Sequence, residues 1–252
     1  MKIYGLIGFP LGHSFSRNYF LEKFRREKTN GYEYLNFSFE LLNEGIHQLK
    51  KNPDLLGLNV TIPFKESIIQ YLDKTSPVCN EIKSCNCIRI ENGVWTGYNT
   101  DVIGFEKSLT PLLADSHKDA LVFGTGGASK AVCYVLKKLG INYRQVSRRQ
   151  KRNCIQYREI TPEILNNFTL LVNTTPVGMF PNVDECLPIP YGAITDKHLV
   201  YDLIYNPEET LFLKKAKFHG AVIKNGGEML VIQAEESWKI WNKSTIEQSG
   251  AL

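Results

Sequence analysis

Apolar positions along this 252-residue chain change their spacing many times. Short apolar runs, or apolar residues at every second position, alternate with stretches where they recur every three or four positions. These are the signatures of strands and of helices with one buried face. The pattern predicts a strand over 2–7, a helix over 18–28, an alternating strand over 32–39, a helix over 41–51 and an apolar strand over 55–60. A strand-like run over 84–90 meets a second one at Asn92-Gly93, a dipeptide that tolerates the left-handed backbone of a tight hairpin. The second run leads into an apolar-periodic helix for which Thr100 or Asp101 is a suitable N-cap. Past Asp119 the pattern reads strand 120–123, a helix to 139, strand 143–146, helix 161–167, strands 170–172 and 199–203, helix 210–218 and strand 221–223. A final helix over 228–241 carries Leu230, Ala234, Trp238 and Trp241 as a packing stripe. Strands that alternate with helices imply mainly parallel sheets, so the fold class is α/β, with a doubly wound sheet in the second half. Two domains are expected to meet at Asp101, because the next strand begins only after 111–119.

Composition narrows the class of function. A hydrophobic fraction of 43% and a charged fraction of 22% belong to a soluble protein with a packed core. The net charge of +4 is mild, and its densest source is residues 148–152, so neither nucleic acid nor a membrane surface is expected as a partner. The first ten residues lack the apolar core and cleavage site of a secretory signal, which points to a cytoplasmic protein. Six cysteines without CxxC spacing and five scattered histidines predict neither disulfide nor metal. An anionic small molecule is the expected ligand.

Candidate chemistry lies in the turns. Gly124-Thr125-Gly126-Gly127-Ala128 follows an apolar run and precedes a helix, so the backbone can approach a pyrophosphate and offer unpaired N–H groups. Ser129 stands where the usual fingerprint has its third glycine, and a glycine turn without ligand is the competing reading. About twenty residues on, Ser147-Arg148-Arg149-Gln150-Lys151-Arg152 places four cations in five positions with no carboxylate. That suits the 2′-phosphate of NADP rather than the ribose of NAD, a solvated basic loop or nucleic-acid patch being the alternative. The turn from Gly8 to Ser16 sets hydroxyls beside a helix N-terminus, a place for a carboxylate unless Ser16 merely caps its helix. In Asn59-Val-Thr61-Ile-Pro-Phe-Lys65-Glu66 a lysine enters the first turn of an expected helix, where cations are disfavoured. Such a lysine has a carboxylate partner or a chemical task, or else is a solvated surface group. Gln233 borders the stripe of the last helix and faces either a cleft or solvent.

Seven ordered motifs carry a resemblance across nearly the whole chain: Gly8-x-Pro-x-x-His-Ser14-x-Ser16, Asn59-x-Thr61-x-Pro-x-Lys65, Gly97-x-Asn-Thr-Asp101-x-x-Gly104, Gly124-x-Gly-Gly-Ala128, Asn173-x-Thr-Pro-x-Gly-Met179, Asp202-x-x-Tyr205-x-Pro207, and Met229-Leu-Val-x-Gln233-Ala. In these the chain resembles the shikimate dehydrogenase family. The resemblance implies a substrate domain over 1–101, rejoined by 226–252, a Rossmann-like NADP domain over 102–225, and a cleft between them. It implies that Ser14 and Ser16 hold the substrate carboxylate, that Thr61, Asn86, Asp101, Tyr205 and Gln233 surround the ring, and that Lys65 and Asp101 form the catalytic pair. Gly124, Thr125, Gly126, Gly127 and Ala128 would take the pyrophosphate, Ser147, Arg148, Arg149 and Arg152 the 2′-phosphate, and Leu203 and Gly226 the nicotinamide side. The implied reaction is reversible reduction of 3-dehydroshikimate by NADPH on the route to chorismate and the aromatic amino acids, by a monomer or homodimer. The chain departs from the family's usual Ser-Pro at Ser16-Arg17, Asn-Thr at Asn86-Cys87, Asn-Arg-Thr at Ser147-Arg148-Arg149, and Gly-Leu-Gly-Met at Gly226-Gly-Glu228-Met229. A quinate/shikimate dehydrogenase, a silent ligand-binding protein on the same fold and an RNA-binding module remain as rivals. The retained Lys65 and Asp101 argue against the second, and the lack of aromatics within the basic run against the third.

Overall fold

A computed structural model describes residues 1–12 and 15–242. The chain divides into two compact units, Met1–Thr100 with Gln233–Leu252, and Asp101–Ile232. The second division falls inside one continuous helix, a place that no change of composition marks.

In the first unit β1 (Lys2–Gly8), α1 (Phe15–Arg26), β2 (Tyr32–Ser38), α2 (Leu42–Leu49) and β3 (Leu55–Val60) follow the predicted order. The helix α1 begins three residues earlier than its apolar period suggests, because Phe15 and Ser16 are already helical. A 3-10 turn (Ser67–Tyr71), β4 (Lys74–Thr75), α3 (Pro77–Ile82), β5 (Cys87–Glu91) and β6 (Val94–Tyr98) complete the unit before Thr100. The sheet runs β2-β1-β3-β5-β6-β4. Five of its six strands run the same way, and β5 alone is antiparallel to its neighbours β3 and β6, so the sheet is mainly parallel with one reversed strand. The cause is the hairpin: Asn92 and Gly93 both adopt positive φ, 51° and 76°, and return the chain directly beside β5.

Period two in β1 feeds two cores. Ile3 and Ile7 pack with Leu58, Val60, Ile88 and Trp95, while Tyr4 and Leu6 pack with Phe20, Phe24, Tyr34 and Trp241. Both faces are therefore covered, which is why the strand reads as an almost unbroken apolar run. The last helix, α8 (Gly227–Asn242), supplies the second core through Ala234 and Trp241. Trp241 lies flat over Tyr4 at 4.9 Å between ring centres and donates its indole N–H to the Ile88 carbonyl at 2.9 Å. A Cβ at Gly57 would stand 2.4 Å from that indole nitrogen, so glycine in β3 is what lets the ring settle. Lys23, almost fully buried on α1, is matched by Glu27 at 2.7 Å and Glu235 at 3.0 Å.

The second unit begins with α4 (Asp101–Leu109) and continues through β7 (Asp119–Phe123), α5 (Gly127–Lys138), β8 (Asn142–Ser147), β9 (Cys154–Gln156), α6 (Pro162–Asn167), β10 (Leu170–Asn173), β11 (Leu199–Asp202), α7 (Leu211–Phe218) and β12 (Val222–Lys224). Its sheet, β12-β11-β10-β7-β8-β9, is parallel throughout. The chain starts in the middle, moves outward to one edge, returns beside its starting strand and moves to the other edge. That is the doubly wound order, and its switch point lies between the carboxyl ends of β7 and β10. Among the described residues no helix is long and apolar enough to cross a membrane.

Candidate active site

In the first unit the motif turns meet at the carboxyl end of β3. Thr61 follows that strand, and its backbone N–H bonds the Ile7 carbonyl at 2.9 Å. A Cβ at Gly8 would stand 2.5 Å from the Thr61 methyl, so the glycine of the first motif makes room for the threonine of the second. Lys65 does not open an α-helix. It lies in a turn two residues before the 3-10 segment, because only thirteen residues separate β3 from β4. The expected helix-terminus field on Lys65 therefore falls away as an argument for its role. Its carbonyl accepts from the Cys85 N–H at 2.7 Å, which sets it beside the segment carrying Asn86.

Asn86 is buried and held from several sides. Its Oδ1 accepts from the Thr100 N–H at 2.6 Å, while its Nδ2 donates to Thr100 Oγ1 at 3.0 Å and to Gln233 Oε1 at 3.4 Å. Asn59 Nδ2 donates to Ser237 Oγ at 3.0 Å and to the Asn86 carbonyl at 3.3 Å, and Asn59 Oδ1 accepts from the Tyr34 hydroxyl at 2.8 Å. Ser16 in turn bonds Tyr34, whose phenol is pushed well up by burial and only partly restored by that bond. The unit thus brings Ser16, Asn59, Asn86, Thr100 and Gln233, from separate segments of the chain, into one network. Ser14 and His13 lie outside the described residues. Cys87, where the resemblance expects threonine, points into the aromatic core and is fully buried there. Arg17 is exposed on α1.

In the second unit Asp101, 5% exposed, is the first residue of α4. Gly124 has φ +114°, and a Cβ there would lie 2.5 Å from Thr174 Oγ1, so glycine is demanded by the backbone and by its neighbour. Gly126 differs. It caps α5 with an ordinary φ of −89°, and a Cβ would meet nothing within 4 Å. The protein's own packing leaves the space at this helix N-terminus open, next to Gly127 and Ala128. Ser129 replaces the third glycine without penalty because its hydroxyl turns back to the Gly126 carbonyl at 2.7 Å and accepts from Gln145 Nε2 at 3.3 Å. Gln145 also reaches the Gly124 carbonyl at 3.3 Å.

The basic run leaves the end of β8. Ser147 is buried and its Oγ accepts from the Arg149 N–H at 3.2 Å, while Arg148, Arg149, Lys151 and Arg152 are exposed. The Arg148 charge lies close enough to Tyr157 to oppose the burial that pushes its phenol up to about 12. Lys151, in the same run, makes a contact that its position in the sequence does not reveal. Its ammonium donates to Thr125 Oγ1 at 2.8 Å, joining the cationic run to the glycine turn. Leu203 and Gly226 are brought together: a Cβ at Gly226 would fall 2.0 Å from the Leu203 carbonyl oxygen, and the Gly226 N–H bonds Ile204 O at 3.0 Å. Beside them Asp202, fully buried, accepts from Asn173 Nδ2 and the Ile204 N–H at 3.0 Å each and from Thr210 Oγ1 at 2.7 Å. Burial still pushes its carboxyl up to about 6. Tyr205 stands on the loop after β11, 39% exposed. Glu228, in place of the family's glycine, pairs with Lys224.

A parallel doubly wound sheet with a glycine turn after its first strand and cations after its second defines a dinucleotide-binding α/β protein. Residues 6–88 match the model for the shikimate dehydrogenase substrate binding domain. The NADP(+) shikimate dehydrogenase of Caldanaerobacter subterraneus is 38% identical over 257 residues, covering 95% of this chain and 91% of that protein. Shikimate dehydrogenase from Aquifex aeolicus superposes with a TM-score of 0.86 at 37% identity, covering 96% of this chain and 92% of that one. The Thermus thermophilus shikimate 5-dehydrogenase, solved with NADP(H) and shikimate, gives 0.83 at 27% identity, with 96% and 94% covered. The chain belongs to the shikimate dehydrogenase family.

Proposed function

We propose that the protein is an NADP-dependent shikimate dehydrogenase, an oxidoreductase that reversibly reduces the ketone of 3-dehydroshikimate to the alcohol of shikimate in aromatic amino acid biosynthesis. The observation that carries this is the buried amide pair Asn86–Gln233, at 3.4 Å, in the unit that contains the family's substrate-binding match. Amides locked by their own partners are the groups that read ring hydroxyls. Around the ring Thr61, Asn86, Asp101, Tyr205 and Gln233 take the hydroxyls, while Ser14 and Ser16 take the carboxylate.

NADPH, when bound, supplies the hydride. The residues suit it: the open space at Gly126 accepts a pyrophosphate where a side chain would intrude, with Gly124, Thr125, Gly127 and Ala128 forming the rest of the turn. Arg148, Arg149 and Arg152, with Ser147, clamp the 2′-phosphate, and Leu203 and Gly226 face the nicotinamide. Lys65 stabilises the negative charge that develops on the ketone oxygen and gives it a proton, and Asp101 holds that ammonium in place. The domain over 1–101 with 226–252 binds substrate and the one over 102–225 binds NADP. The setting is the cytoplasm, with one or two copies of the chain.

The test is NADP reduction followed by absorbance with shikimate as substrate, beside quinate and NAD. Rapid reduction with shikimate and NADP alone is expected. Equal rates with quinate and NAD would shift the reading to a quinate/shikimate enzyme, and no reduction under any pairing would end it.

A further inference from the structure

Ser237 belongs to no motif, yet it is fully buried at the junction of the polar network. Its hydroxyl lies 2.8 Å from the Gln233 carbonyl one turn earlier, 3.0 Å from Asn59 Nδ2 and 3.2 Å from Thr100 Oγ1. Elementary hydrogen-bond chemistry assigns every proton here. A carbonyl only accepts, so Ser237 donates to Gln233 O. Its two lone pairs are then filled by the Asn59 amide and the Thr100 hydroxyl, which makes Thr100 the donor in that contact. With its proton committed, Thr100 Oγ1 must accept from Asn86, at 3.0 Å. The Asn86 amide, whose Oδ1 is already held by the Thr100 backbone N–H at 2.6 Å, thus turns its NH2 toward both Thr100 Oγ1 and Gln233 Oε1.

We infer that Ser237 is a positioning residue that takes up the Thr100 proton, so that this hydroxyl accepts from Asn86 and does not compete with the ring for the oxygens of Asn86 and Gln233. The inference rests on the proposed role of those two amides as ring ligands. Without the Ser237 oxygen, Thr100 would turn its proton to Asn86 Oδ1 at 3.3 Å or Gln233 Oε1 at 3.5 Å. That proton would then compete with the ring hydroxyls for the two amide oxygens, which weakens the preorganisation of the site without turning either amide over.

The experiment compares wild type, Ser237→Ala, Thr100→Val and the double variant in the shikimate and NADP assay. Ser237→Ala is expected to raise KM for shikimate roughly tenfold, with kcat changed less than about twofold and KM for NADP unchanged. The double variant is expected to be no worse than the weaker-binding single one, because both remove the same contact. A wild type inactive on shikimate overturns the functional reading itself. An active wild type whose Ser237→Ala variant keeps its KM for shikimate, or loses affinity for shikimate and NADP alike, overturns the positioning role. Should Ser237→Ala fail to fold, Ser237→Cys, which keeps the volume but accepts the Thr100 proton only weakly, decides by the same KM criterion.

Discussion

The Asp202 carboxyl is buried at the end of β11 with its pKa raised from 3.8 to about 6, so its ionisation should be written into the pH dependence of folding. A raised value means that the folded chain holds this proton more tightly than the unfolded chain does. The stability this group contributes is complete below about pH 4 and is lost as pH rises toward 6, the reverse of a salt-bridged carboxylate. The full effect of the shift is roughly 3 kcal/mol, at 1.36 kcal/mol per pH unit. About 1 kcal/mol of it is already expressed by pH 4.5, leaving about 2 kcal/mol to appear between there and pH 7.5.

Asp202→Asn removes the titration and keeps an acceptor for Asn173 and the Ile204 N–H. It leaves the Thr210 hydroxyl without its carboxylate, a loss that does not vary with pH over this range. Urea unfolding of both proteins at intervals from about pH 4.5 to 7.5 isolates the group, because every other titrating residue cancels in the difference. Glu235, held below the usual carboxylate range by Tyr19 and Lys23 against its burial, contributes the opposite slope and cancels likewise. The wild type is expected to lose about 2 kcal/mol relative to the variant on going up in pH. Two parallel stability curves would refute the reasoning, since they would mean that the carboxyl titrates alike in folded and unfolded chains.

Lys65→Ala should lower kcat by at least about a hundredfold with KM for shikimate little changed, as loss of a proton donor requires; unchanged turnover would remove Lys65 from the mechanism. Lys151→Ala should raise KM for NADP roughly tenfold, and an unchanged KM would reduce its bond to Thr125 to a surface contact. The glycines separate fold from ligand. Gly226→Ala, whose Cβ meets a backbone oxygen at 2.0 Å, should cost about 3 kcal/mol in urea unfolding, whereas Gly126→Ala, with open space around it, should cost about 1 kcal/mol or less and yet weaken NADP binding. Equal stability losses in the two would contradict the view that the space at Gly126 is reserved for a ligand.

The second unit was largely legible because β7, β10 and β11 are buried on both faces and so appear as short apolar runs bounded by turns. The first was less so. The two residues of β4 and the six of α3 are too few to show any period, and the antiparallel pairing of β5 with β3 depends on partners thirty residues apart. Lys65 was found through its neighbours, but the helix expected to follow it shrank to a 3-10 turn where the chain must reach β4.

The last helix shows most clearly what a one-dimensional reading leaves out. Scoring apolar positions picks out Leu230, Ala234, Trp238 and Trp241 and treats the polar residues between them as the solvent face. Yet Gln233 and Ser237 are four residues apart, hence on one side of the helix, and Ser237 is also four from Trp241, which is buried against β3. Two small or uncharged polar residues at that spacing, in register with a buried tryptophan, cannot both face water. They must find partners inside, and the strand ends that supply Asn59, Asn86 and Thr100 are where those partners are. The physical content of this network is therefore a requirement to satisfy buried hydrogen bonds, and it becomes visible only when the polar residues of a helix are placed on the same wheel as its apolar ones.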